Sequence, residues 1–203
     1  MSGTLKFSAA ALLACVSTAS AQESPKPQDG LPWPPVHTFS IPGYDSVTGE
    51  VGAAVQSRMF SVGNGVLWGE ADVGVAATQA IVDVSYGPKA TESAGYKIGH
   101  FCSAQGNILA GPGVVDSMVA AFEHTTGYLS FRLLAAIEAG QLAGGDKRGM
   151  QSAAMLIVKK DGGVWLHNDV VLRLQVDDSP EPIKELRRLV EQAAQQRERR
   201  TSR

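Results

Sequence analysis

The stretch GPGVVDSMVAAFEHTTGYLSFRLLAAIEAG, residues 111–140, decides the fold class. Val115, Met118, Val119 and Phe122 recur at helical spacing, as do Leu129, Leu133 and Ile137, so two consecutive amphipathic helices are predicted. Gly127 and Gly140 stand where each helix would end. On either side the apolar period becomes that of strands. Upstream, Phe39 and Ile41 alternate with Thr38 and Ser40, a polar turn covers residues 45–49, and residues 51–57 read as a second strand. Residues 65–68 and 73–80 make another short pair around Glu70-Ala71-Asp72. Downstream, residues 153–158 are a nearly continuous apolar run turned by Asp161-Gly162-Gly163. Val170, Leu172, Leu174 and Val176 then alternate with partly polar neighbours. A closing helix is announced by Asp178 or Ser179 as cap and Pro180 in the first turn, with Ile183, Leu186, Leu189, Val190 and Ala193 on one face. This order predicts sheets covered by helices, an α+β layered domain.

The 203 residues are 44% apolar and 19% charged, the balance of an ordinary globular protein. Lys6, the short apolar stretch 7–16 and Ala19-Ser20-Ala21 before Gln22 read as a signal peptide over residues 1–21. Leu12-Leu13-Ala14-Cys15 also fits a lipobox. Export thus leads either to a secreted or periplasmic chain or to a lipoprotein anchored through Cys15. Beyond residue 21 no apolar run reaches the roughly 20 residues that cross a bilayer, so no transmembrane segment is expected. There, 17 basic residues stand against 20 acidic ones, which leaves no electrostatic footprint for nucleic acid. Residues 22–35 hold five prolines and read as an extended linker. A folded domain is expected over residues 36–196 and a solvated basic tail over 197–203. With the signal removed, Cys102 is the only cysteine, so no intramolecular disulfide can form.

Several chemistries lack their motifs. No Gly-x-Ser-x-Gly elbow occurs, so an α/β-hydrolase triad has no seat. Gly63-Asn64-Gly65 is followed by Gly69, one residue beyond the dinucleotide fingerprint, and no Walker loop is present. His37, His100, His124 and His167 are scattered, so neither a metal nor another cofactor is expected. Asp177-Asp178 reads as a solvated pair before a helix N-terminus, with cation binding as the alternative.

Thr38-Phe39-Ser40-Ile41 and the segments SRMFSVG (57–63), AATQA (76–80), SYGP (85–88), QGNILAG (105–111), AGGDKRGMQSAA (143–154) and VDDSPEPI (176–183) are collinear. Together they resemble a bacterial family of unknown function, DUF1028, placed with the proteasome subunits in the N-terminal-nucleophile (Ntn) hydrolase superfamily. The resemblance runs from about Thr38 to about Leu189. It implies a four-layer αββα sandwich in which a residue heading the first strand attacks an amide while its own α-amine takes the proton. Thr38 matches that position. A second cleavage, between His37 and Thr38, would be needed to free the amine; otherwise Thr38 is simply a β-branched strand residue.

By the same resemblance, Arg58 would stabilise developing negative charge. Gly106 and Asn107, in a turn before a helix, would supply oxyanion-holding N–H groups, and Asp146 and Arg148 would orient the nucleophile. The competing readings are a plain strand-to-helix turn for the first pair and a loop ion pair for the second. Glu70, Asn64 and Gln79 are weaker candidates for lining a cleft. No lysine lies between Ile41 and Pro88, where proteasome subunits use one, which leaves the α-amine as base.

The chain departs from the family near residue 92, where the remainder of a helix, a further helix and a β-hairpin are missing. The sandwich is expected to be shortened there, with a sheet edge exposed for a second copy of the chain or a rearranged helix to cover. Pro42-Gly43 is expected to interrupt the first strand. Two functions follow: an exported hydrolase acting on an unidentified small amide or peptide, or a non-catalytic envelope or secreted binding protein on the same scaffold.

Overall fold

Strand β7 (Ser152–Val158) is buried at every residue because both of its faces are covered, which is why its sequence is apolar without alternation. In the computed structural model, which describes residues 38–77, 95–107, 109–146, 149–163 and 168–202, it lies inside a six-stranded antiparallel sheet. The other strands are β1 (Thr38–Tyr44), β2 (Val51–Ser57), β5 (Gly95–Gly99), β6 (Cys102–Asn107) and β8 (Val170–Val176). Their order is β5-β6-β1-β2-β7-β8. A separate ribbon pairs β3 (Leu67–Glu70) with β4 (Gly74–Ala77), and a short helix α1 (Val62–Val66) precedes it. Three longer helices follow: α2 (Gly113–His124), α3 (Leu129–Leu142) and α4 (Pro182–Thr201).

Each central strand sorts its side chains to two cores. Phe39, Ile41, Ala54, Ala153, Met155 and Ile157 face the helices and pack with Phe122, Leu133, Ile137 and Leu186. Ala53, Val55, Ala154, Leu156 and Val158 face the other way and pack with Val62, Val66, Leu67 and Ala77 of α1 and the ribbon. Among the described residues the architecture is therefore mixed α+β, built on an antiparallel sheet with four helices. Among the described residues the second sheet has two strands, and no helix layer outside it is seen. The expected signal peptide (1–21), the expected linker (22–35) and the expected departure near residue 92 lie outside the described residues.

Several local expectations are corrected. Gly65 and Val66 belong to α1 rather than to a strand. Pro42 does not end β1: pairing with β2 runs through it, whereas the ladder to β6 shows no pair at Ile41 or Pro42, where proline has no N–H to give. Gly140 lies inside α3 instead of ending it, and a Cβ there would fall 2.7 Å from the Met118 side chain and 3.3 Å from the Phe39 ring. The glycine lets α3 close onto α2 and β1. The final helix starts with Pro182 in its first turn rather than Pro180, and Ser179 Oγ accepts the Glu181 N–H at 3.2 Å ahead of it. Among the described residues no helix is long and apolar enough to cross a membrane.

The same helix continues through residue 197, where a solvated tail is expected. Arg197 instead reaches Glu50 at 2.8 Å and stacks over the Tyr128 ring at 4.7 Å. Glu50 is 1% exposed, and the guanidinium meets its Oε1 as a charge contact without hydrogen-bond alignment. Removing the arginine would leave a carboxylate buried against its own desolvation penalty. Arg197→Ala is expected to lower stability by about 2 kcal/mol, seen as a lower urea midpoint, while Arg199→Ala on the exposed face changes it by less than about 0.5 kcal/mol. Equal midpoints for the two variants would show the contact to be incidental.

Candidate functional site

Cross-strand register brings four residues into one row at a rim of the sheet. Asn107 ends β6 and pairs with Thr38 at the start of β1; Thr38 pairs with Ser57 at the end of β2; Ser57 pairs with Ser152 at the start of β7. Thr38 is 1% exposed, and Ser57 and Ser152 are fully buried. The Thr38 and Ser57 hydroxyls lie 3.1 Å apart, a hydrogen bond in which either can donate. Ser57 Oγ also accepts the Met59 N–H at 3.1 Å, and its backbone carbonyl accepts the Gln151 N–H at 3.0 Å. Ser152 Oγ donates to the Met59 carbonyl, so the segment after β2 is tied to the segment that opens β7.

The glycine-rich loop before β7 approaches this rim. Asp146, 4% exposed, forms a bridge with Leu109, two residues beyond Asn107, and its carbonyl accepts the Gly149 N–H at 3.0 Å. Arg58 is exposed, and its guanidinium lies over Gly149: a Cβ built on that glycine would stand 3.6 Å from Arg58 Nη1. Thr38 and Asn107 are thus paired neighbours, with Gly106 one position along. Arg58 follows Ser57 directly, and Asp146 belongs to the loop that Arg58 overlies. Arg148 lies outside the described residues, as does Gln79.

Gly106 is a strand residue and not part of a turn. It pairs with Phe39 on one side and Gly95 on the other, and a Cβ on it would lie 2.6 Å from the Leu109 side chain and 3.0 Å from Phe39 Cβ. Close packing is sufficient reason for a glycine here. Glu70 ends β3 and is exposed, whereas Asn64 Nδ2 donates to Ser61 Oγ at 2.9 Å.

A second polar cluster joins the ends of β8 and α1. Asp177 Oδ1 accepts the Ser61 N–H at 2.7 Å, its Oδ2 accepts from Gln175 Nε2 at 2.7 Å, and Gln175 Nε2 also donates to Ser61 Oγ at 3.0 Å. Gln151 Nε2 donates to Asp178 Oδ1 at 3.2 Å. Asp177 therefore clasps β8 to the start of α1 instead of standing as a solvated charge. The roles of Ser57, Ser152 and Gln175 escaped sequence reading because they depend on strand register, which single-strand alternation does not supply.

Among the described residues no group of three or more His, Cys, Asp or Glu is placed to hold a metal. His124 Nδ1 donates to the Ala120 carbonyl at 2.7 Å, and His100 packs on the Phe101 ring. Cys102 is buried in the helix-side core, and burial first, with the nearby Glu123 carboxylate second, pushes its thiol up to about 11. It is a packing residue and not a nucleophile at neutral pH.

Compared with known proteins, residues 38–93 and 87–186 match the sequence model of a family of unknown function, DUF1028. The crystal structure of a DUF1028 protein from Silicibacter pomeroyi is similar over 77% of this chain and 89% of that one, with 23% identity and a TM-score of 0.62, so the fold is shared. Curated proteins yield no match.

Two outcomes follow from this packing. Gly106→Ala is expected to destabilise the protein by about 1–3 kcal/mol in urea unfolding, because Leu109 has no room to give way; an unchanged midpoint would mean that the glycine serves something other than packing. With burial pushing its thiol up to about 11, Cys102 stays protonated at pH 8, so a disulfide reagent should modify the native protein far more slowly than the unfolded one. Equal rates would contradict the burial.

Proposed function

The chain is a member of the DUF1028 family, and from that premise we propose that it is an exported hydrolase of amide bonds with Thr38 as nucleophile. The observation that carries this is the place of Thr38: a hydroxyl heading a central strand, held 3.1 Å from Ser57 at the rim where Asn107 and the segment 149–152 meet. The six-stranded sheet, its helix layer and the β3–β4 ribbon are then a shortened αββα sandwich of the Ntn hydrolases. The family match falls into two segments that meet at residues 87–93, which supports the loss of a helix and hairpin near residue 92.

Export removes residues 1–21, and a second cleavage between His37 and Thr38 frees the amine. Thr38 Oγ1 then attacks the amide carbonyl carbon while its proton passes to the Thr38 α-amine. The amine hands that proton to the leaving nitrogen as the C–N bond breaks, leaving an ester on Thr38. Water, deprotonated by the same amine, attacks the ester, releasing the acid and restoring the hydroxyl. Arg58 supplies positive charge near the developing oxyanion, and the backbone at Gly106 and Asn107 borders it. Asp146 and Arg148 orient the nucleophile from the glycine-rich loop.

A non-catalytic envelope or secreted binding protein on the same scaffold is the second reading. It is favoured by one specific feature: Thr38 is 1% exposed in the full chain, with its nitrogen in a peptide bond. N-terminal sequencing and intact mass of the exported protein separate the two. Hydrolysis predicts a mature chain that begins at Thr38, takes one equivalent of a β-lactone electrophile on that residue, and loses activity by about 10³-fold or more in Thr38→Ala. A chain that begins at Gln22 or at lipidated Cys15 and takes no adduct supports the binding protein instead.

A further inference from the structure

The hydroxyl row at the rim contains more than a nucleophile. Ser57 is fully buried, and three constraints fix it: its register opposite Thr38, the Gln151 N–H on its carbonyl, and the Met59 N–H on its Oγ. The Met59 amide can only donate, so it occupies a lone pair of Ser57 Oγ and polarises the serine O–H toward donation. The Thr38 hydroxyl stands 3.1 Å away. Ser152, next in the row, gives its hydroxyl to the Met59 carbonyl and so further fixes the residue whose N–H reaches Ser57.

We propose that Ser57 is a positioning residue for Thr38, donating its hydroxyl hydrogen into a lone pair of Thr38 Oγ1. This rests on Thr38 acting as nucleophile. With that lone pair occupied, the Thr38 O–H is left to point at the free α-amine, and the second lone pair faces the carbonyl to be attacked. As the proton leaves Thr38 Oγ1 for the amine, negative charge gathers on that oxygen. The bond from Ser57 then becomes charge-assisted and shortens, strengthening only as the reaction proceeds. Ser57 loses no proton and forms no bond to the substrate.

The test uses mature protein recovered from its exporting host and a β-lactone probe, with the rate of adduct formation on Thr38 followed by mass across probe concentration. Ser57→Ala is expected to lower the maximal labelling rate by about tenfold to a hundredfold while leaving the half-saturating concentration nearly unchanged. Ser57→Thr, which keeps the hydroxyl, should recover most of the rate. Gln175→Ala, which loosens the neighbouring Ser61–Asp177 cluster without touching Thr38 or Ser57, should leave the rate within about threefold. If Ser57→Ala does not fold, Ser57→Cys, similar in size but a weak donor, takes its place with the same expectation.

Labelling of Ser57→Ala at the wild-type maximal rate would overturn the positioning role while leaving Thr38 as nucleophile. A fall in rate shared equally by Gln175→Ala would also overturn it, marking Ser57 as merely structural. Wild-type protein that takes no adduct on Thr38 would overturn the nucleophile and this role together.

Discussion

The register that sets Thr38 opposite Ser57, with Asn107 and Ser152 on the flanking strands, is the constraint on which the rest depends. A slip of one residue in β1 would turn Phe39 and Ile41 away from the helices and bring Thr38 and Ser40 into their place. Burial on both sides of the central strands forbids that. Phe39 and Ile41 are fully buried among α2 and α3, while Val55 and Leu156 are buried beneath α1 and the ribbon. The rim hydroxyls are therefore placed by apolar packing several residues away, and the polar contacts among them refine a position already set.

Periodicity made the layered α+β class, the two central helices and the strands β2, β7 and β8 legible, because these segments carry strong apolar patterns. It fell short where backbone chemistry outweighs pattern. Gly140 looked like a helix end, yet it lies inside α3, where it lets the helix approach Met118 of α2 and Phe39 of β1 closely. Gly106 and Asn107 were placed in a turn by resemblance, yet β1 pairs with both, and β5 with Gly106, so that they belong to β6. The hairpin of β5 and β6 carries small residues and little alternation, so its existence follows from pairing and not from local preference.

The candidate site was legible in a similar measure. Thr38 and Arg58 were named by resemblance alone, and the structure adds only their placement about Ser57, which Thr38 pairs with and Arg58 follows. Asp177 was read as solvated because nothing in the sequence indicates that Ser61, 116 positions away, offers it an N–H. Arg197 was assigned to a tail because charge runs at chain ends usually are solvated; Glu50 and Tyr128 draw it in, and both lie far upstream in the chain. In each case the missing information was a long-range partner.

An amine beside a hydroxyl at the head of a buried strand is what the hydrolytic account requires. A crystal structure of the exported protein shows this most directly. The account predicts a free nitrogen on Thr38 about 3 Å from its own Oγ1, with that oxygen still hydrogen-bonded to Ser57 Oγ. Electron density running unbroken from His37 into Thr38 in fully mature protein would contradict it.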